Sequence, residues 1–237
     1  MRVVYFLLAF LITACSGDPR TPKQKMRQDT GSAVVRIFGK TSQGHPSGGT
    51  GFVVRASSGK TYILTNKHIC KLQDTSQRLI VEFPGLKRKY KKRVIEISEE
   101  HDLCLVENNL GFKKALIIAD KVSTGELSYV VGHPKLYALT VAEGEYIETA
   151  NISVITSKKD GKPVRIFRKE NSSMSIAGVV EHSAFRFSVY SRGGNSGSPI
   201  VNNLGQVISV LFAGNRNDVM ETYGVPLKNV KRFIEGY

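Results

Sequence analysis

Beyond residue 30 the chain alternates between short runs of apolar and β-branched residues and clusters rich in Gly, Asn, Asp and Ser. The runs cover residues 33–38, 51–55, 61–65, 79–83, 94–97, 103–106, 116–119, 127–131, 139–141, 164–167, 185–189 and 207–212. Short strands at this spacing, separated by turn signals, are typical of an all-β barrel or sandwich. The pattern therefore predicts an all-β fold.

Only the end of the chain has helical spacing. Pro226 can occupy a first helical turn, and Leu227, Val230 and Phe233 follow at intervals of three residues. This predicts a short C-terminal helix. Because composition does not shift sharply along the chain, the strand count sets the division, with a first unit over residues 31–122 and a second over 123–237.

The first residues form a different kind of segment. Arg2 precedes an unbroken apolar run over residues 3–12, and the small residues Thr13 and Ala14 follow. The run is too short to span a bilayer as a helix, and it has the shape of a signal-peptide core. We expect a signal peptide over residues 1–14. Residues 15–30 are polar, basic and proline-containing, which predicts a flexible tether.

The signal peptide ends in the residues Ile12-Thr13-Ala14-Cys15, which resemble a bacterial lipobox. The resemblance implies cleavage before Cys15 and diacylation of that cysteine, which would anchor the protein stably to a membrane. With Ser16 next in the chain, similarity to Gram-negative lipoproteins implies the outer membrane, facing the periplasm. The alternative is an ordinary cleaved signal that happens to contain a cysteine.

If Cys15 carries lipid, only Cys70 and Cys104 remain as a pair. Two interpretations are open. The cysteines form a disulfide in an oxidising compartment, or they are two buried thiols that act as small apolar core residues.

The formal net charge of +14 favours anionic partners. The densest stretch runs from Lys87 to Arg93 and is basic at every position except Tyr90. A solvated hairpin is the simpler explanation of such a run. We expect no specific nucleic-acid partner, because no aromatic residue other than Tyr90 is interleaved to stack on bases.

A serine lies among glycines in the segment from Gly193 to Val201. A tight turn there can direct the N–H groups of Gly194 and Ser196 to one point, where they would stabilise an oxyanion. Taken alone, the segment is better explained as a glycine-rich turn between two strands.

A base and an acid that suit such a serine occur earlier in the chain. His68 directly follows the apolar run 61–65, and Asp102 opens the apolar run 103–106. A serine hydroxyl needs a base to take its proton, and the imidazole needs a carboxylate to hold its other nitrogen. We therefore predict His68, Asp102 and Ser196 as the catalytic residues.

In the order His, Asp, Ser, these motifs resemble trypsin-like serine peptidases, most closely the HtrA or Deg branch. The segments Ser47–Val53, Val131–Pro134 and Tyr223–Leu227 resemble further motifs of that family, and the similarity extends over residues 31–233. It implies two packed antiparallel β-barrels of chymotrypsin type and a serine endopeptidase that hydrolyses protein or peptide substrates through an acyl-enzyme. It implies no cofactor.

The resemblance also locates a specificity pocket, with Tyr190 at its floor and Phe212, Ala213 and Gly214 along one wall. An aromatic floor in place of trypsin's carboxylate implies a preference for small or medium apolar side chains before the cut. Asn195 replaces the aspartate that pairs with a new amino terminus in digestive enzymes, so control by zymogen cleavage is not expected. After Tyr237 there is no room for the PDZ domain typical of HtrA proteins, so PDZ-driven control is not expected either.

The remaining histidines have no partner at metal-ligand spacing, and we expect no metal; they are His45, His101, His133 and His182. Two other functions remain as alternatives. A protease-like binding module without turnover would normally have a broken triad, whereas all three residues are in place here. An esterase would use the same triad and the same acyl chemistry.

Overall fold

The computed structural model describes residues 18–237 except 41–43, 73–77, 84, 87, 110–113, 157–162, 169–178 and 216–217. In residues 154–156, 163–168 and 179–182 it describes the backbone alone. The predicted signal peptide, Cys15 and the first residues of the tether lie outside the described residues.

Six antiparallel strands close the first barrel, in the order β1-β2-β3-β6-β5-β4. They are β1 (Val34–Lys40), β2 (Pro46–Arg55), β3 (Thr61–Thr65), β4 (Arg78–Glu82), β5 (Lys89–Ile97) and β6 (Cys104–Glu107). A short helix, α2 (Lys67–Cys70), follows β3. Closure pairs every strand on both sides, so this barrel has no unpaired edge.

The second barrel is built from the remaining strands. They are β7 (Leu127–Gly132), β8 (Thr140–Thr156), β9 (Pro163–Arg168), β10 (Val179–Ser188), β11 (Pro199–Asn202), β12 (Val207–Gly214) and β13 (Glu221–Val225). The sheet order is β10-β13-β12-β11-β7-β8-β9, and a β10–β8 pairing closes six of these strands while β9 extends β8. The C-terminal helix α3 (Leu227–Glu235) follows β13. The predicted all-β fold, with two closed antiparallel barrels and a short terminal helix, is confirmed.

The alternation of buried and exposed side chains along the strands explains how apolar residues line the barrel interiors. In β4, Leu79 and Val81 are almost fully buried while Arg78 and Ile80 are exposed, because successive side chains of a strand point to opposite faces. In β2 the large side chain of Phe52 is completely buried. The barrel cores therefore consist of the inward positions of each strand.

Residues 22–31 differ from the expected flexible tether, because they form a helix, α1 (Pro22–Gly31). Thr21 and Gln24 form a capping box around Pro22 at the first helical turn, a combination that strongly favours helix initiation. The helix is held by burial of Met26 in the main core. The folded unit therefore begins at Pro22 and not near residue 31.

Residues 116–119, which the sequence predicts as a strand, do not form a full strand in the structure. It forms only isolated bridges, in which Leu116 pairs with Val54 of β2 and Ile118 pairs with Val207 of β12. The Leu116 N–H donates to the Val53 carbonyl at 2.8 Å. This segment is the connection between the barrels, and its backbone hydrogen bonds tie one barrel to the other.

A disulfide between Cys70 and Cys104 joins α2 to the start of β6. Both residues are fully buried and 34 positions apart in the chain. Of the two interpretations that the sequence left open, the structure therefore has the disulfide.

Replacing both cysteines, Cys70→Ala with Cys104→Ala, should lower the free energy of unfolding by about 3 to 4 kcal/mol, because the cross-link restricts the unfolded chain over that separation. Urea denaturation of the oxidised proteins measures the loss. Reducing agent should destabilise the wild type by a similar amount and leave the double variant unchanged; equal stability of oxidised wild type and double variant would contradict the disulfide.

Candidate active site

The pairing of β3 with β6 brings His68 and Asp102 together. Thr65, at the end of β3, lies opposite Cys104, at the start of β6. His68 comes soon after the first strand ends, and Asp102 comes just before the second begins. In an antiparallel pair these two positions are at the same end of the sheet.

The two side chains make a close contact. His68 Nδ1 lies 2.6 Å from Asp102 Oδ2, and the His68 backbone N–H donates to Asp102 Oδ1 at 3.0 Å. A carboxylate only accepts hydrogen bonds, so the Nδ1 proton is directed at Asp102 and Nε2 is left as the acceptor nitrogen. Nε2 is buried and has no hydrogen-bond partner among the residues that the structure describes.

Two residues next to His68 fix the turn that carries Asp102. The Asn66 amide donates to the Asp102 carbonyl at 2.9 Å, and Lys67 Nζ donates to the Glu99 carbonyl at 2.9 Å. Burial lowers the pKa of the Lys67 ammonium. The sequence analysis did not identify Asn66; its one signal was a polar residue directly after a buried strand.

Ser196 is half-buried in the tight loop between β10 and β11. Gly194 and Gly197 have φ values of 95° and 85°, in the left-handed region that favours glycine. A Cβ atom on Gly197 would lie 2.1 Å from the Thr50 carbonyl oxygen, so no larger residue fits there. The predicted glycine-rich turn is therefore required both by backbone conformation and by close packing.

The loop leaves two N–H groups open. The Gly193 carbonyl accepts from the Lys135 N–H at 2.6 Å. Because C=O and N–H point in opposite directions across a trans peptide, the Gly194 N–H points away from Lys135. In the described part of the chain, no acceptor lies on the N–H of Gly194 or Ser196, whereas that of Asn195 donates to Arg192.

Lys135, whose N–H donates to the Gly193 carbonyl, lies in a strained turn. The turn is a single 3₁₀ turn, Pro134–Leu136, in which Lys135 and Leu136 have φ values of 51° and 61°. Non-glycine residues in this region typically cost about 1 kcal/mol or more. A Cβ atom on Gly194 would lie 2.5 Å from the His133 carbonyl oxygen, so the turn and the Ser196 loop are in direct contact.

Gly49 of β2 separates the Ser196 loop from the helix that carries His68. A Cβ atom at this position would lie 2.6 Å from the Ser196 carbonyl oxygen and 2.7 Å from Ile69 Cδ1. Only glycine fits between the two elements. The first barrel therefore contacts the loops of both predicted catalytic side chains at one point.

Thr50, the next residue, forms a polar link between the barrels. It is fully buried, its N–H donates to the Ser196 carbonyl at 2.8 Å, and its hydroxyl donates to the Gly194 carbonyl at 2.8 Å. The same hydroxyl accepts from the His133 N–H at 3.0 Å. The sequence analysis quoted this residue only as part of a motif, although a lone hydroxyl among glycines was available as a signal.

Of the predicted specificity residues, Gly214 packs against Ser191, which was not predicted, and Tyr190 precedes Ser191 in the chain. A Cβ atom on Gly214 would lie 2.6 Å from Ser191 Oγ, and Thr222 Oγ1 lies 2.7 Å from the same oxygen. Phe212 and Ala213 are buried in the core cluster. The end of β12 therefore packs directly on Ser191, and little space remains between them.

Tyr190, the predicted floor of the pocket, is half-buried. The Arg192 guanidinium carbon lies 5.4 Å from the centre of its ring, which is cation–π distance. A positive charge therefore already occupies one face of the ring.

Two kinds of feature are absent from the residues that the structure describes. These residues contain no group of three or more His, Cys, Asp or Glu side chains placed to hold a metal ion. They also contain no helix with the length and apolar character needed to cross a membrane.

Three solved structures that resemble this chain are proteases. The Rv3671c protease from M. tuberculosis in its active form aligns with a TM-score of 0.69 and 18% identity, over 97% of this chain and 91% of that one. The serine endoprotease from Yersinia pestis aligns with a TM-score of 0.64 and 16% identity, over 91% and 66%. The HtrA-type protease AlgW with tripeptide gives 0.66 and 18%, over 90% and 63%. At these identities the likeness shows the fold, and the chain spans about two thirds of the latter two proteins.

A match to a family model identifies the family as well as the fold. The model of the trypsin-like peptidase domain matches residues 49–210, a range that includes His68, Asp102 and Ser196. The chain therefore belongs to the trypsin-like peptidase domain family and is, by that membership, a serine endopeptidase.

Proposed function

We propose that this peptidase cleaves its substrates with His68, Asp102 and Ser196 acting as a catalytic triad. The observation that carries the proposal is the His68–Asp102 pair, in which both carboxylate oxygens bind the histidine and Nε2 is left without a partner among the described residues. An imidazole held in this tautomer is a suitable base for a serine hydroxyl.

The reaction begins when Ser196 Oγ attacks the peptide carbonyl while His68 Nε2 takes its proton. His68 then donates that proton to the leaving amine, which gives an acyl-enzyme. Water, activated by the same nitrogen, releases the acid product and restores Ser196. Asp102 stays ionised throughout and stabilises the imidazolium.

The N–H groups of Gly194 and Ser196 would bind the oxyanion that forms during each attack. Support comes from the hydrogen bond between the Gly193 carbonyl and Lys135, which leaves the Gly194 N–H pointing away from the 3₁₀ turn. Donors fixed before the reaction cost no reorganisation when charge develops on the substrate oxygen.

Ser196→Ala and His68→Ala should each lower casein hydrolysis by roughly a thousandfold or more, because triad members act as a unit. Ser198→Ala is the matched control. Ser198 Oγ is buried without a partner among the described residues, and its loss should leave most activity intact. Full activity of Ser196→Ala would refute the triad, and the same variants tested on ester substrates would reveal the esterase alternative.

Thr50 would act as a positioning residue for the oxyanion donors. Thr50→Val keeps the shape but removes the hydroxyl that holds the Gly194 carbonyl. We expect kcat to fall by about tenfold or more with little change in KM, since a small misplacement of donors weakens transition-state binding. Thr50→Ser keeps the hydroxyl and should recover most of kcat; equal losses in the two variants would show that the methyl group, not the hydrogen bond, matters.

Specificity should favour small or medium apolar side chains before the cut. A cationic side chain buried against Tyr190 would meet the positive charge of Arg192, at a cost of roughly several kcal/mol. The contact between Gly214 and Ser191 further favours small side chains. Mass-spectrometric profiling of cleavage sites in a denatured proteome should find cuts mainly after Val, Ala, Ile or Leu. Predominant cutting after Arg or Lys would contradict the proposed pocket.

We also propose that the enzyme is tethered to a bacterial membrane through lipid on Cys15, most specifically to the outer membrane, facing the periplasm. The support is the sequence Ile12-Thr13-Ala14-Cys15 behind an apolar core. A diacylated cysteine would give stable anchoring, which one acyl chain alone does not.

Cys15→Ala should release the protein from membranes or leave its signal peptide uncleaved. Membrane fractionation and intact-mass measurement of the two proteins detect either result. An unchanged mass together with an unchanged membrane fraction would argue against the lipid.

A further inference from the structure

The outer surface of the first barrel carries a cationic patch over three neighbouring strands, β1, β4 and β5. We call it the basic face, and its charged members are Arg36, Lys40, Arg78, Lys89, Lys91 and Arg93. Phe38 and Ile80, which are paired across β1 and β4, lie at its centre.

Strand alternation selects the residues that reach this face. Lys89, Lys91 and Arg93 are exposed, whereas Tyr90 and Lys92 lie on the opposite side of β5. Lys92 is buried, and its ammonium donates to the Asn109 side chain. The basic run is therefore divided by strand alternation. Lys89, Lys91 and Arg93 point to solvent, and Lys92 points to the interior.

Positive charges lie next to one another on the basic face and repel. Arg78 and Arg93 are directly paired across β4 and β5, an arrangement of like charges that destabilises a sheet. Among the described members of these strands two acidic side chains reach solvent: Glu82 is already bound to Arg36, and Glu96, near the far end of β5, is hydrogen-bonded to Tyr237. Within the described part of the chain, Arg78, Lys91 and Arg93 have no acidic partner. An external anion would relieve this repulsion.

The centre of the face is apolar and partly accessible. Ile80 is 38% exposed, and Lys89 Nζ lies 4.3 Å from the centre of the Phe38 ring. Cations around a small apolar centre match the headgroup region of a membrane, where charge binds phosphate and apolar groups enter the interface. Bases would find no open ring to stack on, because Lys89 covers Phe38 and Tyr90 packs edge-on against Phe83.

We propose that the basic face docks the protease on a membrane surface rich in anionic phospholipids. The barrel order puts β4, the middle strand of the face, across the barrel from β3, the strand that leads to His68. Docking centred on β4 and β5 places the membrane on the side of the barrel away from β3, while Arg36, at the β1 edge of the face, adjoins the candidate active site by donating to the Leu136 carbonyl. The proposal depends neither on the triad nor on lipid at Cys15.

The test measures binding of the full chain to vesicles of phosphatidylcholine alone and to vesicles that also contain phosphatidylglycerol. All proteins carry Cys15→Ala, so that no lipid contributes, and neutral vesicles report the contribution of the amino-terminal segment. The test variant is Arg78→Gln, Lys91→Gln and Arg93→Gln together. The control is Lys60→Gln, Lys121→Gln and Lys228→Gln, three exposed cations elsewhere with the same total charge change.

We expect the background protein to prefer the anionic vesicles and the test variant to lose roughly a hundredfold in that affinity, at about fivefold for each cation near the surface. The control variant should keep most of the preference, and casein hydrolysis should be unchanged in both. Three results would overturn the proposal: no preference for anionic vesicles, equal losses in the two variants, or tighter binding to duplex DNA than to the vesicles at the same salt concentration.

Discussion

The candidate site depends on one contact, that between the Asp102 carboxylate and His68. The carboxylate is partly exposed at its strand end, but both of its oxygens bind a histidine that is only 3% exposed. Around this contact the fold provides three supports: the β3–β6 pairing, the Asn66 hydrogen bond to the Asp102 backbone, and the disulfide from α2 to β6. Each fixes one side of the pair, so the imidazole has little freedom to turn away.

The second barrel carries Ser196 and the proposed N–H donors of the oxyanion site, so the proposed mechanism requires the two barrels to meet in a fixed position. Gly49 permits the close approach of the first barrel to the Ser196 loop. Thr50 fixes that approach through hydrogen bonds to the carbonyls of Gly194 and Ser196. The N–H of Lys135, one of two left-handed residues in the 3₁₀ turn, holds the Gly193 carbonyl from the other side. Strain in that turn is tolerated because packing on both barrels determines its position.

The fold could be predicted because the period of two along each strand reports directly which face is buried. His68, Asp102 and Ser196 could be proposed as a triad because a serine among glycines, a histidine after one strand and a carboxylate before another suit a single reaction, and the structure shows the His68–Asp102 contact. Thr50, Asn66 and Ser191 could not be identified in the same way. Their roles come from hydrogen bonds between residues far apart in the chain, and a lone hydroxyl or amide has no periodic signature.

The helix α1 shows a different reason for a missed element. Thr21, Pro22 and Gln24 form a strong start signal, but the segment after them is polar and contains a single apolar residue that becomes buried, Met26. Composition predicted a tether because one buried side chain scarcely changes the average. The helix is stabilised by its contact with the barrels, which only the folded chain provides.

In the proposed mechanism the His68–Asp102 pair activates Ser196 and no other hydroxyl. Labelling the folded protein with a fluorophosphonate and mapping the adduct by peptide mass spectrometry tests this directly, because the probe reacts with an activated serine. We predict a single adduct on Ser196, absent after heat denaturation and lost in His68→Ala. An adduct on another residue, or labelling of Ser196 that is equally fast without His68, would contradict the account.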